Sequence, residues 1–314
     1  MRAFAFESTD KPAALMSIPK PEVAEDGILI SVRAASVNGF DVFQASGLAF
    51  GMMEHAFPTV VGRDFAGVVE AVGPNARGFS AGDEVFGFIP AAPPLKSGSF
   101  AEYVAGGPEL VLARKPTEVD FPQAAALPLA GSAALDLLEA VHGKDGDVVL
   151  IVGATGGVGT LALQIAAHRG LTVIATARPD QAEWARELGA AETIDYSSVN
   201  VADAVRSRHP DGIAALIDLI DQKEALAALA SVVRPGGHVA SVLSAVDVDQ
   251  LARRRVTGSN VNAAPTADKL RLLGELAASG ALRVQIQGIY ELENAGEAIA
   301  AFPKGTRGKL IVRA

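Results

Sequence analysis

The stretch from Val148 to Arg169, VVLIVGATGGVGTLALQIAAHR, limits the possible folds of this chain more than any other. Val148–Val152 is a run of five apolar, mostly β-branched residues without alternation, the pattern of a parallel strand covered on both faces. Gly153, Gly156 and Gly159 follow at intervals of three. Glycines so placed serve a sharp turn, a close backbone approach to a diphosphate, and tight packing of helix on strand. Val158, Leu161, Ala162, Ile165 and Ala166 then recur at i, i+3, i+4, i+7 and i+8, which gives a helix one apolar stripe. His168 and Arg169 stand at its C-terminal end, and Gly170 suits the C′ position. The start of that helix, Thr155, Gly156, Gly157 and Val158, aims free N–H groups and a positive dipole end at whatever fills the turn. A plain strand-to-helix turn would also use these glycines. The apolar run Leu171–Thr176 directly after the helix completes a βαβ unit and favours a dinucleotide site.

At the end of that second strand a protein that binds NAD usually carries a carboxylate for the ribose 2′-hydroxyl. This chain has Thr176, Ala177 and Arg178. A carboxylate would repel a 2′-phosphate, whereas a guanidinium can grip it with charge-assisted hydrogen bonds worth roughly 1.5–3 kcal/mol, about ten- to a hundredfold in affinity. Arg178 therefore points to NADP(H), with a solvated surface arginine as the alternative.

The rest of the chain is consistent with a soluble enzyme. Its 314 residues suit about two domains, with 49% hydrophobic and 20% charged residues. A formal charge of −9 gives nucleic acid or an anionic membrane no general attraction. The absence of cysteine removes disulfides, thiolate zinc sites, Fe–S clusters and a cysteine nucleophile. The five histidines are scattered with no i,i+4 pair, so no metal site is expected. Ser132 lies in AGSAA and not in G-x-S-x-G, which gives no nucleophile elbow. With no apolar leader and no long apolar run, the expected location is the cytoplasm.

From Met1 to about Pro116, short apolar runs such as Gly27–Val37 and Phe65–Val72 alternate with glycine turns, the texture of a compact antiparallel barrel or sandwich. From Phe121 strands and helices alternate. Helices are expected over Pro128–Val141, Pro179–Leu188, Val201–Arg208 and Gln222–Val232. Strands are expected near Thr193-Ile194, over Ala215–Ile220 and over His238–Leu243, with a turn at Arg234-Pro235-Gly236-Gly237. One doubly wound parallel sheet in the order 3-2-1-4-5-6 accounts for them, and Thr155–Val158, Arg178, Asp218 and Leu243-Ser244 should then face its crevice. Helices over Thr266–Ser279 and Leu292–Phe302 precede a last strand, Lys309–Arg313, whose nearest partner is the N-terminal β region. The nucleotide domain is thus expected over 121–261, inserted into a first domain made of 1–120 and 262–314.

These segments, in this order, resemble the medium-chain dehydrogenase/reductase superfamily and its zinc-free quinone oxidoreductase branch. The likeness runs through GILISVRAASVNGFD, VVGRDFAGVVEAVG, GDEVFGF, GSFAEYV, AALPLAGSAALDLL, VLIVGATGGVGTLALQIA, ETIDY, RPGGHV and RGKLIVR. It implies an α/β fold with a Rossmann domain inserted into a GroES-like β-barrel domain. It further implies hydride transfer from NADPH to a quinone or α,β-unsaturated carbonyl, and a homo-oligomer, often a dimer through edge strands. Zinc alcohol dehydrogenases of the superfamily carry Cys where this chain has Asn38 and His where it has Arg63. Asn38 and Asp41 match the family's polar pair on the substrate side, Asn38 as donor to the product oxygen and Asp41 orienting water or cofactor; the alternative is that both cap a turn. Tyr196 matches a tyrosine near the 2′-phosphate, and Asn260 and Asn262 match the segment that reaches the carboxamide end.

Three departures from the family stand out: Phe43 and Gln44 in place of a tyrosine, Ala133 in place of a threonine, and Asp221 in place of a glycine. The first leaves solvent to supply the proton. Phe50, Met52, Met53 and Phe57 either line an apolar acceptor pocket or belong to the core. A 2-enoyl thioester reductase is the alternative enzyme, although Lys96 and Arg63 are few for coenzyme A phosphates. A non-catalytic NADPH-binding or structural protein is the alternative outside enzymes.

Overall fold

The computed structural model describes residues 1–314. They form two compact units: Met1–Leu129 with Pro265–Ser279 and Val284–Ala314, and Ala130–Ala264 with Gly280–Arg283.

The second unit is built on one six-stranded parallel sheet. Its strands lie in the order Glu192–Ile194, Thr172–Thr176, Val148–Val152, Ile213–Asp218, Val233–Ser241, Thr257–Asn260, which is 3-2-1-4-5-6. Parallel strands buried on both faces need continuous apolar runs, and Leu150, Ile151, Val173, Ile174, Leu216 and Ile217 are all fully enclosed. The unit's helices include Pro128–Ala140, Gly157–His168, Ala182–Glu187, Val201–Arg208, Lys223–Leu229 and Val248–Ala252. The expected helices over 179–188 and 222–232 each include a 3₁₀ turn, at Pro179–Gln181 and Ala230–Val232. Arg234-Pro235-Gly236-Gly237 is no connecting turn: it is an irregularity within strand Val233–Ser241. Ile213 pairs with Val233, Ala215 pairs with His238, and the residues between arch outward around Gly236 at φ +84°.

The first unit holds two sheets. One has three strands, Ala14–Ser17, Arg2–Phe6 and Thr59–Val60. The other has seven: Ile286–Glu291, Lys309–Arg313, Ile28–Ser36, Asp64–Val72, Glu84–Phe88 and Val111–Arg114 in order, with Tyr103–Gly106 also on Ile28–Ser36. Two pairings in this sheet matter most for the site. Ile28–Ser36 runs antiparallel to Asp64–Val72, with Ser36 opposite Asp64. The last strand also runs antiparallel to Ile28–Ser36, with Ile311 opposite Ser36, and the Val37 amide donates to the Leu310 carbonyl at 2.9 Å. Three segments distant in sequence therefore end within one neighbourhood.

Candidate functional site

The second unit presents a row of strand ends. Val152, Asp218, Ser241 and Asn260 are linked in register, as are Thr176 and Ile194 on the other side of the first strand. Beyond this row come the glycine turn, Arg178, Tyr196, Leu243-Ser244 and Asn262. Gly153 takes φ +77°, a conformation that disfavours L side chains, and the Gly156 amide closes the turn on the Gly153 carbonyl at 3.1 Å. The Thr176 hydroxyl accepts from the Gly153 amide at 3.0 Å, tying the turn to the second strand. A Cβ on Gly159 would lie 2.1 Å from the Gly153 carbonyl oxygen, so only glycine lets the helix approach this closely. Helix Gly157–His168 opens at Gly156 with no side-chain cap, which leaves its first amides for a ligand. These observations fit a dinucleotide diphosphate.

Arg178 and Tyr196 each follow the adjacent strand ends Thr176 and Ile194 by two residues. Both are exposed, and the Arg178 guanidinium Nε stands 3.9 Å from Asp180. Leu243 is exposed, and Ser244 has φ +54°. Asn260 is engaged at both ends of its amide: Oδ1 accepts from the Val246 amide at 2.9 Å and Nδ2 donates to its carbonyl at 3.0 Å. Its side chain thus pins the 243–246 segment, while Asn262 is exposed.

Asp218 is fully buried and turned to its own loop, where Oδ1 accepts from the Ile220 and Asp221 amides, both at 2.8 Å. Its expected place facing the crevice is thus taken up by contacts within its own loop. Burial, together with the hydrogen bond and charge of Asp218, pushes Asp221 up to about 7.

The first unit carries a different arrangement. The strand Ile28–Ser36 runs into helix Gly39–Ala45, with Asn38 as its N-cap, and Asp41 Oδ2 accepts from the Asn38 amide at 2.8 Å. The Asn38 side chain bridges two charges. Its Oδ1 accepts from Lys309 Nζ at 2.6 Å, and its Nδ2 donates to Asp64 Oδ2 at 2.9 Å. Lys309 also donates to the Val37 carbonyl at 3.0 Å; Asp64 also accepts from the Ser36 hydroxyl at 3.0 Å and the Leu129 amide at 3.1 Å. Arg63 donates to the Ser97 carbonyl at 3.0 Å and to Gln44 Oε1 at 3.2 Å.

All of these side chains are buried, and Asp41 and Asp64 are wholly so. Burial, reinforced by the charge of Asp64, pushes Asp41 up to about 7. Burial also pushes Asp64 up, but Lys309 and its hydrogen-bond donors hold it to about 6. Burial lowers Lys309 and Arg63 from their ordinary values, against the pull of the two aspartates on Lys309 and of Asp41 on Arg63. Two basic and two acidic side chains thus meet in a buried interior, where isolated charges would be costly.

Sequence reading picked out Asn38 and Asp41 and passed over Asp64 and Lys309. The signal was present, since each is a charged residue within an apolar strand run, VVGRDFAGVV and RGKLIVR, where an unpaired charge is not tolerated. Phe43 lies beside Phe40 at 6.2 Å and presents no hydroxyl. Of the apolar residues considered for an acceptor pocket, Phe50 is half-buried and packs on the core at Phe6, ring to ring 4.9 Å, and Met52 is exposed.

The donor set does not fit zinc. The chain lacks cysteine, Arg63 contributes a cation, and no three His, Asp or Glu side chains converge. His142 and His238 come within 5.3 Å, ring to ring, without a third donor.

A doubly wound dinucleotide sheet with an uncapped glycine turn, carried in one chain with a unit of largely antiparallel sheets, is the make-up of a two-domain dehydrogenase. Two family models match: "Alcohol dehydrogenase GroES-like domain" over residues 24–116 and "Zinc-binding dehydrogenase" over 157–270. The chain is 31% identical to a quinone oxidoreductase of Sus scrofa over 326 aligned positions, covering 99% of this chain and 96% of that protein. It is 37% identical over 235 residues to an NADPH-dependent alkenal/one oxidoreductase of Arabidopsis thaliana, covering 73% of this chain and 58% of that one. Against several plant and mammalian relatives the chain spans only 50 to 58% of their length. The solved quinone oxidoreductase of Coxiella burnetii superposes with a TM-score of 0.89 at 29% identity, covering 100% of this chain and 99% of that one. The chain belongs to the medium-chain dehydrogenase/reductase superfamily, with a GroES-like region and a Rossmann-type sheet.

Proposed function

We propose that this protein is an NADPH-dependent reductase of quinones or α,β-unsaturated carbonyls that acts without zinc. The observation that carries the reading is the chemistry of the buried set in the first unit. Asn38, Arg63 and Lys309 offer hydrogen bonds and fixed positive charge, and no cluster there could hold a Lewis-acid metal. Such a set suits acceptors whose conjugation carries the incoming negative charge to an oxygen, where orientation and a few donors suffice.

Bound NADPH supplies the hydride. In the second unit the turn and helix start at Thr155, Gly156, Gly157 and Val158 would hold the diphosphate, through the amides not already spent on closing the turn, and Arg178 with Tyr196 would take the 2′-phosphate. Leu243, Ser244 and Asn262 follow the strand row on the side assigned to the nicotinamide, with Asn260 holding the 243–246 segment in shape. In the first unit Asn38 donates through Nδ2 to the acceptor oxygen. Its hydrogen bond to the Ser36 carbonyl is long, 3.4 Å, so that hydrogen is the less committed of the two. Asp41, pushed up to about 7 by burial, orients the helix start through Oδ2 and can hold a proton at Oδ1, and solvent supplies the proton that product takes. The names of the relatives, which include a quinone oxidoreductase and an alkenal/one oxidoreductase, support this acceptor class.

The unpaired edge of strand Thr257–Asn260 fits a dimer formed by edge pairing. No helix is long and apolar enough to cross a membrane.

The test is NADPH oxidation, with NADH in parallel, against an ortho-quinone and a 2-alkenal. Turnover with NADPH favoured supports the reading, and the faster acceptor selects between the two classes. If NADPH raises the melting temperature but no acceptor is reduced, a binding role replaces the catalytic one.

A further inference from the structure

We infer that Lys309, from the last strand, is a positioning residue that sets the orientation and donor strength of the Asn38 amide. This rests on the reading of Asn38 as donor to the acceptor oxygen.

An asparagine amide has two faces that differ chemically: the oxygen only accepts and the nitrogen only donates. In this structure a cation lies on the oxygen and an anion on the nitrogen, as Lys309 Nζ–Asn38 Oδ1 at 2.6 Å and Asn38 Nδ2–Asp64 Oδ2 at 2.9 Å. Turning the amide over would set NH₂ against an ammonium and oxygen against a carboxylate, so only one orientation is tolerated. Lys309 cannot drift away, because it is buried, holds the Val37 carbonyl at 3.0 Å, and begins a strand paired to Ile28–Ser36. Asp64 is equally fixed by Ser36 and Leu129.

One Nδ2 hydrogen is thereby committed to Asp64, and the other has only the 3.4 Å contact to the Ser36 carbonyl. A cation on an amide oxygen draws electron density from the nitrogen, so the remaining N–H becomes the better donor, as in any polarised hydrogen-bond chain. The gain is greatest when the accepting oxygen becomes anionic, which is the moment of hydride transfer, so the effect belongs in kcat and not in ground-state binding.

The experiment uses the full chain with NADPH and a 2-alkenal, comparing Lys309→Met, Asn38→Ala and the double variant. Lys309→Met should lower kcat ten- to a hundredfold while acceptor KM and NADPH Kd change less than threefold. In the Asn38→Ala background the same substitution should lower kcat no further, because the residue through which it acts is gone. Lys309→Met with Asp64→Asn removes one charge of each sign, and this neutral pair should fold and still show the kcat loss. A folded Lys309→Met with kcat within twofold of wild type overturns the inference, as does an undiminished loss in the Asn38→Ala background. Either result leaves the reductase reading standing. A wild-type protein that turns over no acceptor overturns both.

Discussion

The two units hold polar groups in opposite ways. The second offers a ligand its backbone: free amides at the start of helix Gly157–His168, a glycine turn, and side chains left exposed at strand ends. The first hides its polar groups, locking buried Asn38, Asp64 and Lys309 to one another, with Asp41 and Arg63 close by. The difference shows what each task demands. A diphosphate is large and charged and is matched by a row of N–H dipoles, which any sequence with the right turn supplies. A single oxygen that becomes charged only in passing is matched by one donor held rigidly, which needs partners on every side.

The comparison breaks most sharply at Asp64. Asp64→Ala leaves Lys309 buried without its nearest anion, and urea denaturation should show a loss of about 3–5 kcal/mol. A loss below 1 kcal/mol would mean that the quartet is not dry. In the second unit the largest effect should come from Gly159→Ala, whose Cβ would press on the Gly153 carbonyl oxygen from 2.1 Å. NADPH affinity, followed by fluorescence titration, should fall at least about a hundredfold, roughly 3 kcal/mol.

Asp41 sharpens the contrast through pH. Its folded value of about 7 lies above the 3.8 of a free aspartate, so its stabilising contribution is whole below about pH 4 and is lost as pH rises through 7. Denaturation at pH 5 and pH 8 should therefore show wild type losing roughly 2–3 kcal/mol relative to Asp41→Asn over that range. Parallel pH profiles would mean that Asp41 is ionised throughout. The smallest effect belongs to Arg178→Ala. Its side chain is 64% exposed, so NADPH should weaken only about tenfold, about 1.4 kcal/mol, with NADH unchanged. Equal losses for both cofactors would remove the 2′-phosphate from its assignment.

Much of the second unit was legible in the residues. The helix over Val201–Arg208 stands where the sequence placed it, and the sheet has the expected order; in the first unit the last strand Lys309–Arg313 does too. The misreadings share a cause. Arg234-Pro235-Gly236-Gly237 has every local mark of a turn, yet its neighbours Val233 and His238 are both paired to the strand Ile213–Asp218, so it bulges within one strand instead of joining two. Asp218 has the position of a residue facing the crevice but is bent into its own loop by two backbone amides.

What the chain alone determined is whatever repeats or neighbours itself along the sequence: the apolar run Val148–Val152, the glycines at intervals of three, the stripe of the following helix, and Arg178 at the next strand end. Those patterns lie within about thirty residues, because one strand, one turn and one helix satisfy their own backbone groups. Tertiary structure alone decided the company of Asn38. Ser36, Asp64 and Lys309 meet there only because Ile28–Ser36 is paired on one side by Asp64–Val72 and on the other by Lys309–Arg313. The register of those pairings is set by burial across the whole sheet, and no local spacing encodes it.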